Sequence, residues 1–468
     1  MAGIGFRLQK LLSGDDYTST LKAYGYSSVI TAGPFLMTVF LVLFVQYISR
    51  GTLDNINMAY LQSLITYCFA FSLVTVGASY LVITRYVADE YYRGHVTSFS
   101  ATFFSAYTLN LLFWGPWVFW YFSGLSAGWG MRLSAFLLYA FALGIWLAMI
   151  FLSAAHNYKA INRAFLWGVG ASLAASYLMG RRLGLPGYFG GFVLGQGVVL
   201  LGLVSAMIEE FGYWESRDHS WLRYFRLHPR LAAVGFFFNL GIWVDKFIFW
   251  ASPQGEWLDS RLRYCWVYDT PMFFAYLSIL PAMVYFFLQV ETDFFGKYHD
   301  YYKGIQDQKG LAALERRRQD IVRSLNFTLG RLVVLQGIIS LAVLLIVPWI
   351  AQWTGLLPLQ MSVLRVGIYS SFMQAACLIL INILLYFDHQ QETLLVSGAF
   401  CAANAVFTHA TLDMGLFTFG YGYGLACMLG TGLGVYFLNE RLRLLHYWTF
   451  SRQGFPEPVA VVEEEIEL

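Results

Sequence analysis

Charge is scarce in this sequence: 12% of its 468 residues are Asp, Glu, Lys or Arg, about half the share found in soluble domains. A fold that presents its whole surface to water is thereby excluded. The net charge of +2 and the absence of a basic run interleaved with stacking aromatics exclude nucleic-acid binding. Cysteine is sparse as well. Cys68, Cys265, Cys377, Cys401 and Cys427 sit far apart, without Cys-x-x-Cys or Cys/His spacing, so buried thiols are expected rather than a metal site or a disulfide framework. No ATP-binding P-loop is present. Gly190-Gly191 and the stretch from Gly195 to Gly202 lack the Gly-Lys-Ser/Thr ending and fall inside an apolar run, where close helix packing explains them better. No cofactor is expected. The opening Met1 to Lys10 has no apolar core or cleavage site, so a signal peptide is not expected, and Ala2 breaks the myristoylation pattern.

What is abundant is apolar residues. They make up 58% of the chain, with a mean hydropathy of +0.56. Runs of about 17–25 residues, each able to cross about 30 Å of hydrocarbon as a helix, fall near 24–48, 60–84, 101–122, 132–155, 164–180, 187–208, 231–252, 267–290, 327–350, 362–386, 392–412 and 418–438. The expected fold class is an all-α polytopic membrane protein of about twelve transmembrane helices. With the N-terminus inside, 21 of the 30 Lys and Arg fall on the inner side and 7 on the outer, while Lys246 and Arg331 lie within spans. This bias predicts that both termini are cytoplasmic.

The pentad Glu90-Tyr91-Tyr92-Arg93-Gly94 after span two recurs as Asp300-Tyr301-Tyr302-Lys303-Gly304 after span eight. Six spans separate the two, which suggests two six-helix bundles related by an axis along the membrane normal, around a central cavity. The expected organisation is a cytoplasmic segment 1–23, a first bundle 24–212, a charged hinge 213–230 and a second bundle 231–450. An acidic cytoplasmic tail 451–468 follows. Within the second bundle, an amphipathic surface helix is expected near 306–325. Its Arg316, Arg317 and Arg318 would contact anionic lipid or a cytoplasmic partner, unless the helix is only a solvated connection.

Ionisable groups inside a span are costly and are functional candidates by default. Asp245 and Lys246 in span seven diverge by about 100° around the helix, so they are expected on different faces. Asn239, Trp243 and Lys246 share one, predicted to line the cavity. Asp269, in span eight, could answer Lys246 across the bend, leaving Asp245 a candidate for proton or cation coupling. The bland alternatives are a structural ion pair or a lysine that snorkels outward. Gly33-Pro34 in span one and Pro271 in span eight are candidate hinges. Arg365, Gln374 and His409 are further candidates for the path; His156-Asn157 reads as a membrane-edge anchor. Aromatics form 19% of the chain. Most should sit in interfacial belts, though flat sugar faces also stack on such rings.

Met1-Ala2-Gly3-Ile4-Gly5-Phe6, the following Arg7-Leu8-Gln9-Lys10-Leu11-Leu12, and Ala32-Gly33-Pro34-Phe35-Leu36 resemble the PelG family of inner-membrane exopolysaccharide transporters. The similarity runs along the whole chain. It implies membership of the multidrug/oligosaccharidyl-lipid/polysaccharide flippase superfamily, in which two six-helix bundles enclose a cavity that opens alternately to either side. The implied cargo is a nascent hexosamine-rich polysaccharide, carried across the bacterial inner membrane. Implied partners are a cytosolic PelF-like glycosyltransferase and PelD-like and PelE-like membrane proteins, besides membrane lipid. The alternatives are an ion-coupled small-solute or multidrug exporter of the same fold, a membrane glycosyltransferase, and a scaffold that moves nothing. The short outer loops, without paired carboxylates at a usable spacing, speak against the enzyme.

Overall fold

The computed structural model describes residues 17–213, 219–289 and 293–451. The opening motif as far as Asp16 and the acidic tail beyond Ser451 lie outside the described residues. Within them the chain is almost wholly helical, as lipid demands of a backbone that has no water to bond. Among the described residues each apolar run falls mainly on helix. The first six correspond to α1 (Tyr17–Ser49), α2 (Asn55–Tyr92), α3 (Phe99–Ser123), α4 (Trp129–Ala154), α5 (Tyr158–Leu183) and α6 (Leu185–Phe211). A short α7 (Leu222–Leu227) leads to α8 (Pro229–Ala251). After a two-stranded hairpin, β1 (Glu256–Trp257) and β2 (Arg263–Tyr264), come α9 (Trp266–Leu277), α10 (Leu280–Gln289), α11 (Phe295–Gln306) and α12 (Leu311–Thr354). The chain continues with α13 (Pro358–Tyr386), α14 (Gln390–Asp413), α15 (Tyr421–Arg443) and α16 (Leu445–Ser451).

Among the described residues nine helices, counting α9–α10 as one, are long and apolar enough to cross a membrane. The chain is a multi-pass membrane protein. The described side chains of α1 form only a shorter apolar stretch, Gly33–Ser49. Helix α3 owes its apolar character to aromatic rings, and α5 carries Lys159, Arg163, Arg181 and Arg182.

Two expectations about local structure are corrected. Span eight is broken, but at Ser278-Ile279 and not at Pro271, which sits inside α9 without ending it. The proline at the break is Pro281, the second residue of α10, where a missing N–H leaves nothing unbonded. The stretch 306–325 is no separate surface helix: a turn at 307–310 ends α11, and from Leu311 the chain runs unbroken into span nine as the 44-residue α12. Pro34 likewise lies within a continuous α1, with Thr38 Oγ1 donating to its carbonyl at 2.9 Å.

Helices pack most closely where side chains are smallest. Helices α5 and α6 form a tight antiparallel pair along Gly187, Gly191 and Gly195; a Cβ on Gly191 would lie 2.3 Å from the Ser176 nitrogen. The first six helices meet the later ones chiefly where α2 crosses α8. There a Cβ on Gly235 would stand 2.1 Å from the Gly77 carbonyl oxygen, so the two backbones touch. Helix α8 also packs on α14, and α10 on α1. The described part of the linker is docked, not free: Trp221 is buried and donates to Ser105 Oγ at 3.1 Å, and Tyr224 Oη donates to Asp89 at 3.2 Å.

The two pentads differ in conformation. The first ends α2, with Gly94 at φ +80° and Tyr92 exposed. The second lies inside α11, with Tyr301 fully buried and its hydroxyl 2.8 Å from His446 Nδ1. Their shared sequence therefore does not mark one local structure used twice.

Candidate functional site

A cavity of about 400 Å³ opens among α1, α2, α4, α5 and α6 and is closed by Trp243 of α8 and Phe273 of α9. It lies mainly within the first six helices, rather than midway between two bundles. Among the later helices Phe400, Tyr423, Tyr268 and the Asp245–Lys246 pair are all buried. Six aromatic side chains wall the cavity, namely Phe35, Phe69, Trp146, Phe165, Trp243 and Phe273, and among the described residues none that lines it is ionisable. Its polar groups are largely occupied. Thr38 and Thr66 bond to carbonyls of their own helices, and Trp146 Nε1 donates to Ser72 Oγ at 3.1 Å. The amides of Gln62 and Gln196 complete the polar lining.

Asp245 and Lys246 were expected to diverge, yet they form an ion pair, with Nζ 3.1 Å from Oδ2. A lysine's stem leans toward the helix N-terminus. Nζ therefore reaches back to the Ile242 carbonyl at 3.0 Å and to Tyr276 Oη at 3.0 Å, and the neighbouring carboxylate swings to meet it. The rings of Trp243, Tyr276 and Tyr423 stand 5.4, 4.9 and 5.5 Å from the ammonium, a cage suited to a cation. On the other side Tyr268 Oη donates to Asp245 Oδ2 at 2.6 Å, and Asn404 Nδ2 approaches Oδ1 at 3.4 Å. Asn404 is itself held by Gly241 O and Thr408 Oγ1, each at 2.8 Å. Two buried opposite charges with these partners satisfy each other.

The other expected site residues are scattered. Asp269 does not answer Lys246: its Oδ2 accepts from its own helix start, Cys265 N at 3.0 Å, and from Trp250 Nε1 at 2.8 Å. Of the expected face, Trp243 alone reaches the cavity. Asn239 donates to Gly235 O at 2.8 Å against α2, and Lys246 is drawn into its cage. Arg365 is exposed in a separate groove beside Tyr369 and Tyr421. His409 is exposed, and Gln374 is buried in α13. Gly33 packs against Asn162 of α5, while Pro34 lines the cavity. Of the basic triplet only Arg316 is exposed. Arg317 donates to Asp300 O, and Arg318 pairs with Glu315 at 2.6 Å and donates to Leu442 O at 3.1 Å. The five cysteines are buried and unpaired.

At one end of the molecule the β-hairpin ties the later helices to the first ones. Tyr60 Oη donates to Asp259 Oδ2 at 2.7 Å, as does Ser126 N to Oδ1 at 2.7 Å, and Arg261 lies over the Trp120 ring at 4.1 Å. Tyr67 stacks on Trp250 with centroids 4.1 Å apart. Partial burial pushes the Asp259 carboxyl up, but these hydrogen bonds outweigh it and hold it at about 2.

Sequence reasoning missed Tyr268, Tyr276, Asn404 and Thr408. Asn404 and Thr408 stand one turn apart inside an apolar span, a spacing that could have flagged them. The tyrosines carry no such signal, since aromatics are common throughout.

This arrangement of helices is similar to that of solved transporters. An outward-facing multidrug-resistance MATE family transporter of the MOP superfamily aligns with a TM-score of 0.58 and 13% identity, over 94% of this chain and 98% of that one. Its inward-facing counterpart gives 0.56 and 12%, over 90% and 99%. A MOP superfamily transporter from Pyrococcus furiosus gives 0.57 and 12%, over 91% and 96%. No curated protein matches the chain. The fold is therefore that of a MOP-type membrane transporter. Residues 1–450 match the model of the PelG exopolysaccharide exporter (EPS-E) family. The chain belongs to that family.

Proposed function

We propose that this protein carries a hexosamine-rich exopolysaccharide across the bacterial inner membrane, from cytoplasm to periplasm. In this reading the chain crosses twelve times, as two six-helix bundles with both termini cytoplasmic, and the cavity alternates between the two faces. The polymer is handed over by a PelF-like glycosyltransferase, with PelD-like and PelE-like membrane proteins alongside. Beside family membership, one observation carries the reading: the cavity is walled by aromatic faces, and among the described residues no ionisable side chain lines it. Pyranose C–H faces pack on such rings, and about 300–1,000 Å³ is the usual size of a ligand site, so the cavity suits a short stretch of glycan. A cation exporter needs acidic groups where this cavity has none.

The test is complementation of an export-deficient strain with Trp243→Ala and Phe69→Ala. Secreted polymer should fall about two- to tenfold in each variant at unchanged membrane protein levels, the loss expected when a ring contact worth about 0.5–1.5 kcal/mol is removed. Unchanged secretion from both variants, together with proton-competitive binding of a hydrophobic cation by the purified protein, would replace this reading with the small-solute exporter.

A further inference from the structure

A second recess, of about 300 Å³, lies away from the cavity, between the N-terminal third of α12 and the last turns of α15. Leu329, Leu380 and Leu438 are among its apolar lining, and Asn439 and Arg443 lie at the end where α15 finishes; Asn326, two turns along α12 from the Arg318–Leu442 contact, lies deeper. Its level in the bilayer follows from α15. That helix begins at Tyr421, and about twenty residues traverse the hydrocarbon, so it leaves the apolar layer near Arg441–Arg443. Leu438 thus belongs to the hydrocarbon edge, while Asn439 and Arg443 belong to the headgroup layer. The groove turns from apolar to polar where a phospholipid does.

Its polar side chains are open. Asn326, Asn439 and Arg443 are exposed and make no side-chain hydrogen bond or ion pair among the described residues. Arg318 differs: Glu315 neutralises it, and its bond to Leu442 O fixes the spacing of α12 and α15. Among the described residues, the uncompensated charge at the mouth is therefore the cation of Arg443. Along α12 the lining runs from Arg318 to Leu329, about 16 Å at 1.5 Å per residue. That is long enough for a headgroup and the upper part of one acyl chain.

We propose that this groove binds an anionic phospholipid, with its phosphate on Arg443 and Asn439 and an acyl chain over Leu438, Leu380 and Leu329. A zwitterionic lipid brings its own cation to the arginine and gains less there. The site is independent of the cavity and of what passes through it.

The full chain, purified in detergent, is exchanged into mixtures of phosphatidylglycerol and phosphatidylcholine, and retained lipid is counted by native mass spectrometry. Phosphatidylglycerol should be preferred. Arg443→Gln should cut its retention about fivefold, the order of one arginine near an anionic surface, and Asn439→Leu should lower it by an independent route. Equal retention of the two lipids would overturn the proposal. So would undiminished phosphatidylglycerol in the Arg443 and asparagine variants at unchanged thermal midpoint. A gain in lipid binding on deleting residues 452–468 would also overturn it, by making the acidic tail the groove's occupant.

Discussion

Replacing Lys246 with Met removes the cation from a carboxylate that has no exposure of its own, for Asp245 is 0% accessible. What remains around that carboxylate is Tyr268 Oη at 2.6 Å and Asn404 Nδ2 at 3.4 Å, two neutral donors for a full negative charge. Breaking a buried pair on one side costs about 3–5 kcal/mol, whereas replacing both partners with neutral groups of similar volume is often nearly neutral. Lys246→Met and Asp245→Asn should therefore each lose about 3 kcal/mol or more. The double variant should recover most of that loss. The coupling would exceed by several-fold the roughly 0.5 kcal/mol within which independent sites add. The assay is unfolding of the purified protein in detergent, followed by the fluorescence of its 15 tryptophans. Additive losses, or singles as stable as the parent, would refute the view that the two charges exist for each other. The double variant then separates structure from transport: stable and exporting, the pair is scaffold; stable but silent, it acts in the transport cycle.

Other consequences follow from the packing and the hairpin. Gly235→Val drives a side chain into the Gly77 carbonyl; a cost of about 1–3 kcal/mol or more should lower the thermal midpoint and the amount of protein in the membrane, while Gly170→Ala, facing open space, should do neither. Asp259 should tie the hairpin to α2 only while ionised. Its folded pKa of about 2 lies below the ordinary value of about 3.9, so its contribution is present above pH 4 and lost as pH falls toward 2. Amide exchange over 256–264 should rise across that window, and Asp259→Asn should show the faster exchange at neutral pH; identical exchange in variant and parent would remove Asp259 from the strap. Arg318→Gln should release Leu442 O and Glu315 together, loosening α12 from α15, which amide exchange at 438–443 would report.

How much was legible beforehand depended on whether a feature is local. A run such as 132–155 announces α4 because a helix in lipid needs only its own composition, and the missing P-loop or metal spacing is equally visible in one dimension. Gly191 and Gly195 could be read as packing positions, and they are; Gly187 joins them only in the fold. The site was less legible. Around an ideal helix Asp245 and Lys246 point about 100° apart, yet a four-carbon stem spans that difference once Tyr276, Ile242 O and three aromatic faces wait on one side. Asp269 looked like a counter-ion at the level of the membrane; the fold spends it on its own helix start. Arg317 and Arg318 looked like a basic surface because nothing in their order reveals Asp300 O or Glu315 beside them.

By itself, then, the sequence determined that this chain lives in lipid as a set of helices, and roughly where each begins and ends, since hydrophobic transfer and internal hydrogen bonding act segment by segment. Which charges meet, where the open volume lies and which helices touch through glycine were decided only by the tertiary structure. Those outcomes depend on distances between residues far apart in the chain, set by how the apolar helix surfaces fill space together.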